Sequence, residues 1–335
     1  QRAPAGESRL QVVERLTETH MARVLVTGAS GFIGHGVTEA LLARGDEVLA
    51  TDVGISPRLQ KLAEDNPALK FTPGEITEWP LLARLLKDGK PDKIVHCAAV
   101  VGVPASVGSP VGTFRVNVEG TINLLEAMRF FGVKRMVNIS SEEIYGPFLA
   151  DTIDEDHRCL PTKPYGISKF VVEQVARDYA AAHSLECIHT RTCWVYGPYF
   201  PRPRAPRNLL DAAIHGRSLH LPGGAGYAVD QVHIDDVVQG VLLALDKPSH
   251  KYDDYHIATG VAVSFGEVVR IIKARLPKAD ISYGPGPLQF VDGTEAVRKG
   301  ALSIARAQRE LGYKPRWSME TGLNAWIDLL LTGKG

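Results

Sequence analysis

From Met21 onward, short apolar runs alternate with stretches whose apolar residues recur every three or four positions. The run Val24–Val26, the segment "DEVLATDV", and then "KIVHCAA", "RMVNISS" and "ECIHTRTCWVYG" have the near-continuous apolar character of buried parallel strands. Between them, "HGVTEALLARG" places Val37, Leu41 and Leu42 on one helical face. "LLARLLKDG", "NVEGTINLLEAMRFFG" and "YGISKFVVEQVARDYAAAH" also read as helices. This alternation predicts an α/β fold, a parallel sheet with helices on both faces. After Pro198 the texture changes. "PYFPRPRAPR" reads as a loop, "NLLDAAIHG" as a helix, "LPGGAG" as a turn and "QVHIDDVVQGVLLALD" as a strand and helix returning to the first unit. From about Gly260 come further helices, short strands and proline turns.

The first apolar run leads directly into glycines at positions 28, 31 and 34, and then into a helix. Strand, glycine turn and helix together set backbone N–H groups and a helix N-terminus against a pyrophosphate. A glycine triplet alone also occurs in plain turns. Here Asp52 ends the second strand 18 residues beyond Gly34, where a carboxylate can bond a ribose 2′-hydroxyl. The expectation is a Rossmann-type doubly wound parallel sheet over 21–198, with a return at 229–260. A smaller substrate lobe is expected from 199–228 and 261–335. Asp52, followed by Val53 and no arginine, predicts NAD rather than NADP.

The chain of 335 residues is long enough for that core, and its 38 basic and 38 acidic residues balance. The balance argues against nucleic-acid or membrane-surface partners. No apolar run approaches membrane-spanning length. Cys97, Cys159, Cys187 and Cys193 show neither metal-ligand spacing nor disulfide density, so no metal and a cytoplasmic location are expected. Residues 1–20 are polar and precede Met21; they read as a tag, or equally as a native helical extension.

In "YGISK", Tyr165 and Lys169 are four apart on one helical face. A tyrosine with a pKa near ~10 is a poor base at neutral pH, and a nearby cation favours its phenolate. The pair can then exchange a proton with a hydroxyl while hydride passes to or from a nicotinamide. By themselves the two would be ordinary helix-surface residues.

Together these segments resemble the extended short-chain dehydrogenase/reductase family, which includes nucleotide-sugar epimerases and dehydratases. "TGASGFIG" looks like its cofactor loop, with Gly28, Ser30, Gly31, Phe32, Ile33 and Gly34. "GEIT" resembles its adenine-contacting stretch, with Glu75 where aspartate is usual and Ile76 beside it. "HCAA" supplies Ala98 and Ala99, and "NVEGT" begins the central helix at Asn117, which also reads as a simple helix cap. "ISSEEIYG", "HIDDV" and "RELGYKP" match later landmarks. The resemblance implies Tyr165 as acid/base, Lys169 on the nicotinamide ribose and lowering the tyrosine pKa, and Ser141 bonding the reacting oxygen. It also implies a homodimer built on the helices from Asn117 and Gly166, to which Ile122, Leu125, Met128, Val171, Val172 and Val175 contribute apolar faces.

The chain also departs from that family. Trp194 stands where an asparagine is usual, and Val229 where an arginine precedes the aspartate, here Asp230. Both missing groups normally contact a nucleotide diphosphate, and a diphosphate without donors is poorly held. Arg202, Arg204 and Arg207, with Asn208 beside them, could clamp a phosphate or a carboxylate, or form a solvated loop. Glu142 and Glu143 precede Tyr145, where dehydratases and decarboxylases of the family often place a glutamate. Glu143 could take an α-proton from a keto intermediate, with Glu142 contacting substrate. The expected activity is transient oxidation of a sugar hydroxyl, first on a nucleotide sugar. The alternatives are net dehydrogenation of an anionic sugar and non-catalytic cofactor binding.

Overall fold

The computed structural model describes residues 21–291 and 294–333; the segment 1–20 lies outside the described residues. Seven parallel strands form the central sheet: β1 (Arg23–Thr27), β2 (Glu47–Asp52), β3 (Leu69–Pro73), β4 (Lys93–His96), β5 (Arg135–Ser141), β6 (Glu186–Thr192) and β7 (Asp254–Ile257). Their order is β7-β6-β5-β4-β1-β2-β3. The order reverses between β1 and β4, which opens a crevice at the carboxyl ends of those strands.

The strands read as continuous apolar runs because both faces are covered. Val24, Val26, Val48, Val95 and Val137 pack on one side with Val37, Leu41, Val237 and Val241, from helices Phe32–Ala43 and Ile234–Asp246. Leu25, Leu49, Ile94 and Met136 pack on the other with Leu81, Leu85, Leu124 and Leu125, from helices Trp79–Lys87 and Gly120–Phe131. One-residue alternation within each strand thus serves two cores.

"ECIHTRTCWVYG" does not make one strand. Through Thr192 it is paired with β5, but Trp194–Tyr196 instead pairs in parallel with Gln231–His233. The partner changes at Cys193, and local apolarity carries no sign of that. Strand Ala228–His233 also pairs antiparallel with Ala262–Ser264. A third core lies here: Tyr196, Phe200, Leu209, Val229, Phe265, Ile272, Leu323 and Trp326. Asp230, fully buried, ties the region together, accepting from Thr259 N (3.0 Å), Gly260 N (2.9 Å) and Leu302 N (3.3 Å).

Candidate active site

β1 and β4 end level, Thr27 opposite His96, so the turn after β1 meets the turn after β4. Gly28 has φ +68°, and a Cβ there would lie 2.6 Å from Ala98 N. A Cβ at Gly34 would lie 2.1 Å from Gly28 O. Only glycine allows the loop to fold this close to the helix Phe32–Ala43 and to the neighbouring turn. Behind them, Thr27 Oγ1 and His96 Nδ1 are 2.7 Å apart, and His96 Nε2 is 2.9 Å from Thr121 Oγ1. Because Thr121 donates to Asn117 O, it accepts from His96 Nε2–H. Burial first, then the charge of Lys169, pulls His96 down to about 3, so this link is neutral.

Asp52 closes the outer end. Its carboxylate accepts from Ser30 N (3.0 Å) and Val53 N (2.8 Å) while facing the crevice. A cleft of about 1200 Å³ runs from Asp52 and Glu75 past the glycines and Ala98 to Tyr165, then to Arg204, Leu221 and Tyr283. This length accommodates a dinucleotide with a second ligand beyond it.

Tyr165 and Lys169 lie in the first turns of helix Pro164–His183. That helix is anchored one turn further on. Glu173 accepts from Ser140 Oγ (2.6 Å) of β5 and pairs with Arg191 of β6 through two nitrogens, at 3.1 and 2.7 Å. Lys169 Nζ donates to Ile139 O at 2.8 Å. Burial draws Lys169 down to about 8 and pushes Tyr165 up to about 12. The groups that pull Tyr165 back are the Ser141 hydroxyl, then the charges of Arg202 and Arg204. Burial outweighs these groups, the largest of which come from the end of β5 and from the proline-arginine loop.

β5 ends at Ser141 and tightens into the turn Glu142–Tyr145, whose first N–H groups face Ser141; Glu143 N donates to Ser141 Oγ at 3.2 Å. The adjacent glutamates have opposite surroundings. Glu142 is 1% exposed, and neither carboxyl oxygen has a hydrogen-bond partner. Burial pushes it up to about 8, against the charge of Lys299 and with that of Glu143 and Asp230. Glu143 pairs with the buried Lys299, Oε1 to Nζ 3.5 Å. Lys299 Nζ also lies 3.3 Å from Gly146 O and 3.5 Å from Glu142 O. Trp194 stands at the strand start beyond, with the guanidinium of Arg204 4.3 Å above its ring.

The fold therefore gathers Gly28, Gly31, Phe32, Ile33, Gly34, Asp52, Glu75, Ile76, Ala98, Ala99, Ser141, Glu142, Glu143, Tyr165, Lys169, Trp194, Arg202, Arg204 and Asn208 along one cleft. Three expected residues stand outside its wall. Ser30 turns its hydroxyl to Gly54 O (2.7 Å). Asn117 is buried in a π-helical turn, Arg115–Glu119, and is no helix cap. Its amide holds Val100 N (2.7 Å), Val100 O (3.0 Å) and Ser168 Oγ (2.9 Å), which fixes the loop after β4 against the tyrosine helix. Arg207 bonds Phe200 O and pairs with Asp211 at 3.4 Å. Lys299 and the aromatic wall of Phe265 and Tyr283, ring centroids 5.0 Å apart, escaped the sequence reading. Each acts through contacts with distant segments and carries no local motif. Among the described residues, no cluster of His, Cys, Asp and Glu could hold a metal, and no helix is long and apolar enough to cross a membrane.

A glycine cradle closed by a strand-end carboxylate shares one cleft with Tyr165, Lys169 and Ser141. A model of the NAD dependent epimerase/dehydratase family matches residues 24–258, and the chain belongs to that family, using NAD. It is 32% identical over 313 residues to a UDP-glucose 4-epimerase of Mycolicibacterium smegmatis, covering 91% of this chain and 97% of that one. It is 34% identical over 328 residues to a dTDP-glucose 4,6-dehydratase of Streptomyces antibioticus, covering 91% of each. Among solved structures, a Thermotoga maritima UDP-glucose 4-epimerase with UDP-glucose superposes with a TM-score of 0.83 at 27% identity, covering 93% of this chain and all of the other. A Streptomyces venezuelae dTDP-glucose 4,6-dehydratase with NAD bound gives 0.83 at 30%, covering 93% and 98%.

Proposed function

We propose that this enzyme oxidises a hydroxyl of a nucleotide sugar, removes the proton that the new ketone acidifies, and returns the hydride. The observation that carries the reading is the carboxyl pair Glu142 and Glu143, side by side on the tyrosine's cleft, one unpartnered and the other held by Lys299. NAD, when bound, supplies the hydride acceptor and a positive ring that favours the phenolate. Tyr165 takes the hydroxyl proton, Ser141 Oγ steadies the reacting oxygen, and Lys169 bonds the ribose. Glu143, held by Lys299, takes the α-proton. Glu142, kept protonated by burial, gives its proton to a departing hydroxyl; the hydride then returns to the carbon that lost the hydroxyl, and Glu143 gives a solvent-exchanged proton back to the α-carbon. Inverting a carbinol centre alone would require no such carboxylates. At the far end of the cleft, the stacked rings of Phe265 and Tyr283, with Leu221, Pro222 and Leu288, give an aromatic and apolar lining suited to a nucleobase.

The test uses NAD-loaded enzyme with dTDP-glucose and UDP-glucose in D₂O. Deuterium in the product, lost in Glu143→Gln while enzyme-bound NADH still forms, is expected. Product without deuterium, together with a fully active glutamine variant, sinks the elimination step.

A second reading is a dehydrogenase of an anionic sugar, favoured by Trp194 and Val229 where diphosphate donors are usual. It predicts stoichiometric NADH release rather than a closed hydride cycle. We further propose that residues 199–228 and 261–335 form the substrate lobe, that the enzyme works in the cytoplasm, and that it is a homodimer. Leu125, Met128 and Val172 are buried in the subunit's own core, so the apolar surplus is smaller than their spacing implied. Phe130, 68% exposed, remains for a partner copy. Light scattering at micromolar concentration that returned a single-chain mass would refute the dimer.

A further inference from the structure

The loop between strand Trp194–Tyr196 and helix Arg207–Ile214 reaches back to the two helices beside the glycine turn. Phe200 meets Phe32 edge to face, with ring centroids 5.2 Å apart. Phe32 begins the helix Phe32–Ala43, and Phe200 is only 4% exposed. One residue earlier, Tyr199 receives the guanidinium of Arg58, 3.9 Å from its ring centroid. Arg58 stands in the first turn of helix Pro57–Asp65, soon after the strand that Asp52 ends, and pairs with Glu39 of helix Phe32–Ala43 at 3.8 Å. Two contacts thus tie one loop to both helices.

The backbone here is strained. Tyr199 has φ +66°, a left-handed conformation that a bulky side chain rarely adopts. Such a residue persists where its surroundings hold it. The ring is 46% exposed, so burial does not hold it; the Arg58 stack on one side and the seated Phe200 on the other do. Residues 200–205 and Gly31, Phe32, Ile33 and Gly34 line the same cleft, so a dinucleotide laid along the glycines shares it with this loop. Neither Arg58 nor Tyr199 belongs to the cleft wall.

We propose that residues 198–204 are a strap that retains the dinucleotide, and that Arg58 stacked on Tyr199 is its outer catch. Cofactor release requires the strap to lift, which separates the catch. The need for retention rests on the closed hydride cycle proposed above: NADH that escaped before returning its hydride would leave the sugar oxidised.

The experiment loads native enzyme and the variants Arg58→Met, Arg58→Lys, Tyr199→Phe and Tyr199→Gly with NADH. Each is mixed with excess NAD, without sugar, and the decay of bound-NADH fluorescence gives the dissociation rate. A cation stacked at a partly exposed site predicts release about twofold to fivefold faster in Arg58→Met and Tyr199→Gly. Glycine suits the left-handed backbone, so that variant removes the ring without adding strain. Arg58→Lys and Tyr199→Phe keep a cation over a ring and should stay near the native rate; fast release in both would overturn the stack. The double variant Arg58→Met/Tyr199→Gly should release no faster than the quicker single variant, because both remove one contact. Effects that multiply would show that Arg58 acts on the cofactor directly and would overturn the catch, as would native rates in both single variants. If Arg58→Met does not fold, Tyr199→Gly decides. Free NADH accumulating in step with turnover of the native enzyme on dTDP-glucose or UDP-glucose would end the closed cycle separately, and the release rates would still decide the strap.

Discussion

Replacing Glu142 by glutamine should make the protein more stable and less active, and the gain in stability should depend on pH. The carboxyl is 1% exposed with both oxygens unpartnered, so its charged form is expensive where it sits. Below about pH 4.5 the group is protonated in folded and unfolded chains alike, and its titration costs nothing. Between 4.5 and about 8 the unfolded chain releases the proton and the folded chain keeps it, so stability falls as pH rises. Above about 8 both are ionised and the penalty is constant. Moving a carboxyl from 4.5 to about 8 corresponds to a ceiling of about 5 kcal/mol. With an unfolding entropy of roughly 2.1 cal/mol/K per residue, that is about 7 °C in Tm for 335 residues. Calorimetric scans of NAD-free native and Glu142→Gln enzyme from pH 4.5 to 9 would measure it. The difference in Tm should be near zero at the acid end, grow through neutrality and level off above 8. A difference that is flat with pH, or a variant that is less stable at pH 8, would show that the carboxyl is ionised or partnered. Turnover should fall in the same variant, because the amide cannot give up a proton to a leaving hydroxyl.

Two further outcomes follow from the site. Asp52 accepts from Ser30 N and Val53 N while facing the outer end of the cleft, so NAD should bind more tightly than NADP; fluorescence titration giving the reverse order would refute this. Tyr165→Phe should retain NAD yet lose turnover by at least about 10²-fold, since only the proton-transfer group is removed; steady-state rates near those of the native enzyme would end the tyrosine mechanism.

The chemistry carried by short segments was legible in the sequence. The glycine turn, the carboxylate ending β2, and Tyr165 one helical turn from Lys169 depend on backbone geometry within a few residues. The alternation of strands and helices likewise predicted the doubly wound sheet, because burial on both faces imposes continuous apolar strands. The cap reading of Asn117 went astray because a helix-start motif does not say what the side chain meets; here it meets a distant loop and Ser168. The proline-arginine loop was legible as a cation source, but its three arginines were not separable, and only two face the cleft.

The sequence by itself determined the fold class, the cofactor and the residue types available for proton transfer, since these rest on local periodicity and spacing. Only the tertiary structure decided how those residues are charged and paired. Lys299 reaches the carboxylate of Glu143 from the far end of the chain and leaves the carboxyl of Glu142, its neighbour in sequence, without a partner. Arg204 is laid over Trp194 by a loop whose path is set by a change of strand partner at Cys193. Desolvation and Coulomb interactions are summed over every atom nearby in space, whatever its place in the chain. Two adjacent glutamates that look alike in sequence therefore become a buried acid and a lysine-held carboxylate once the chain has folded.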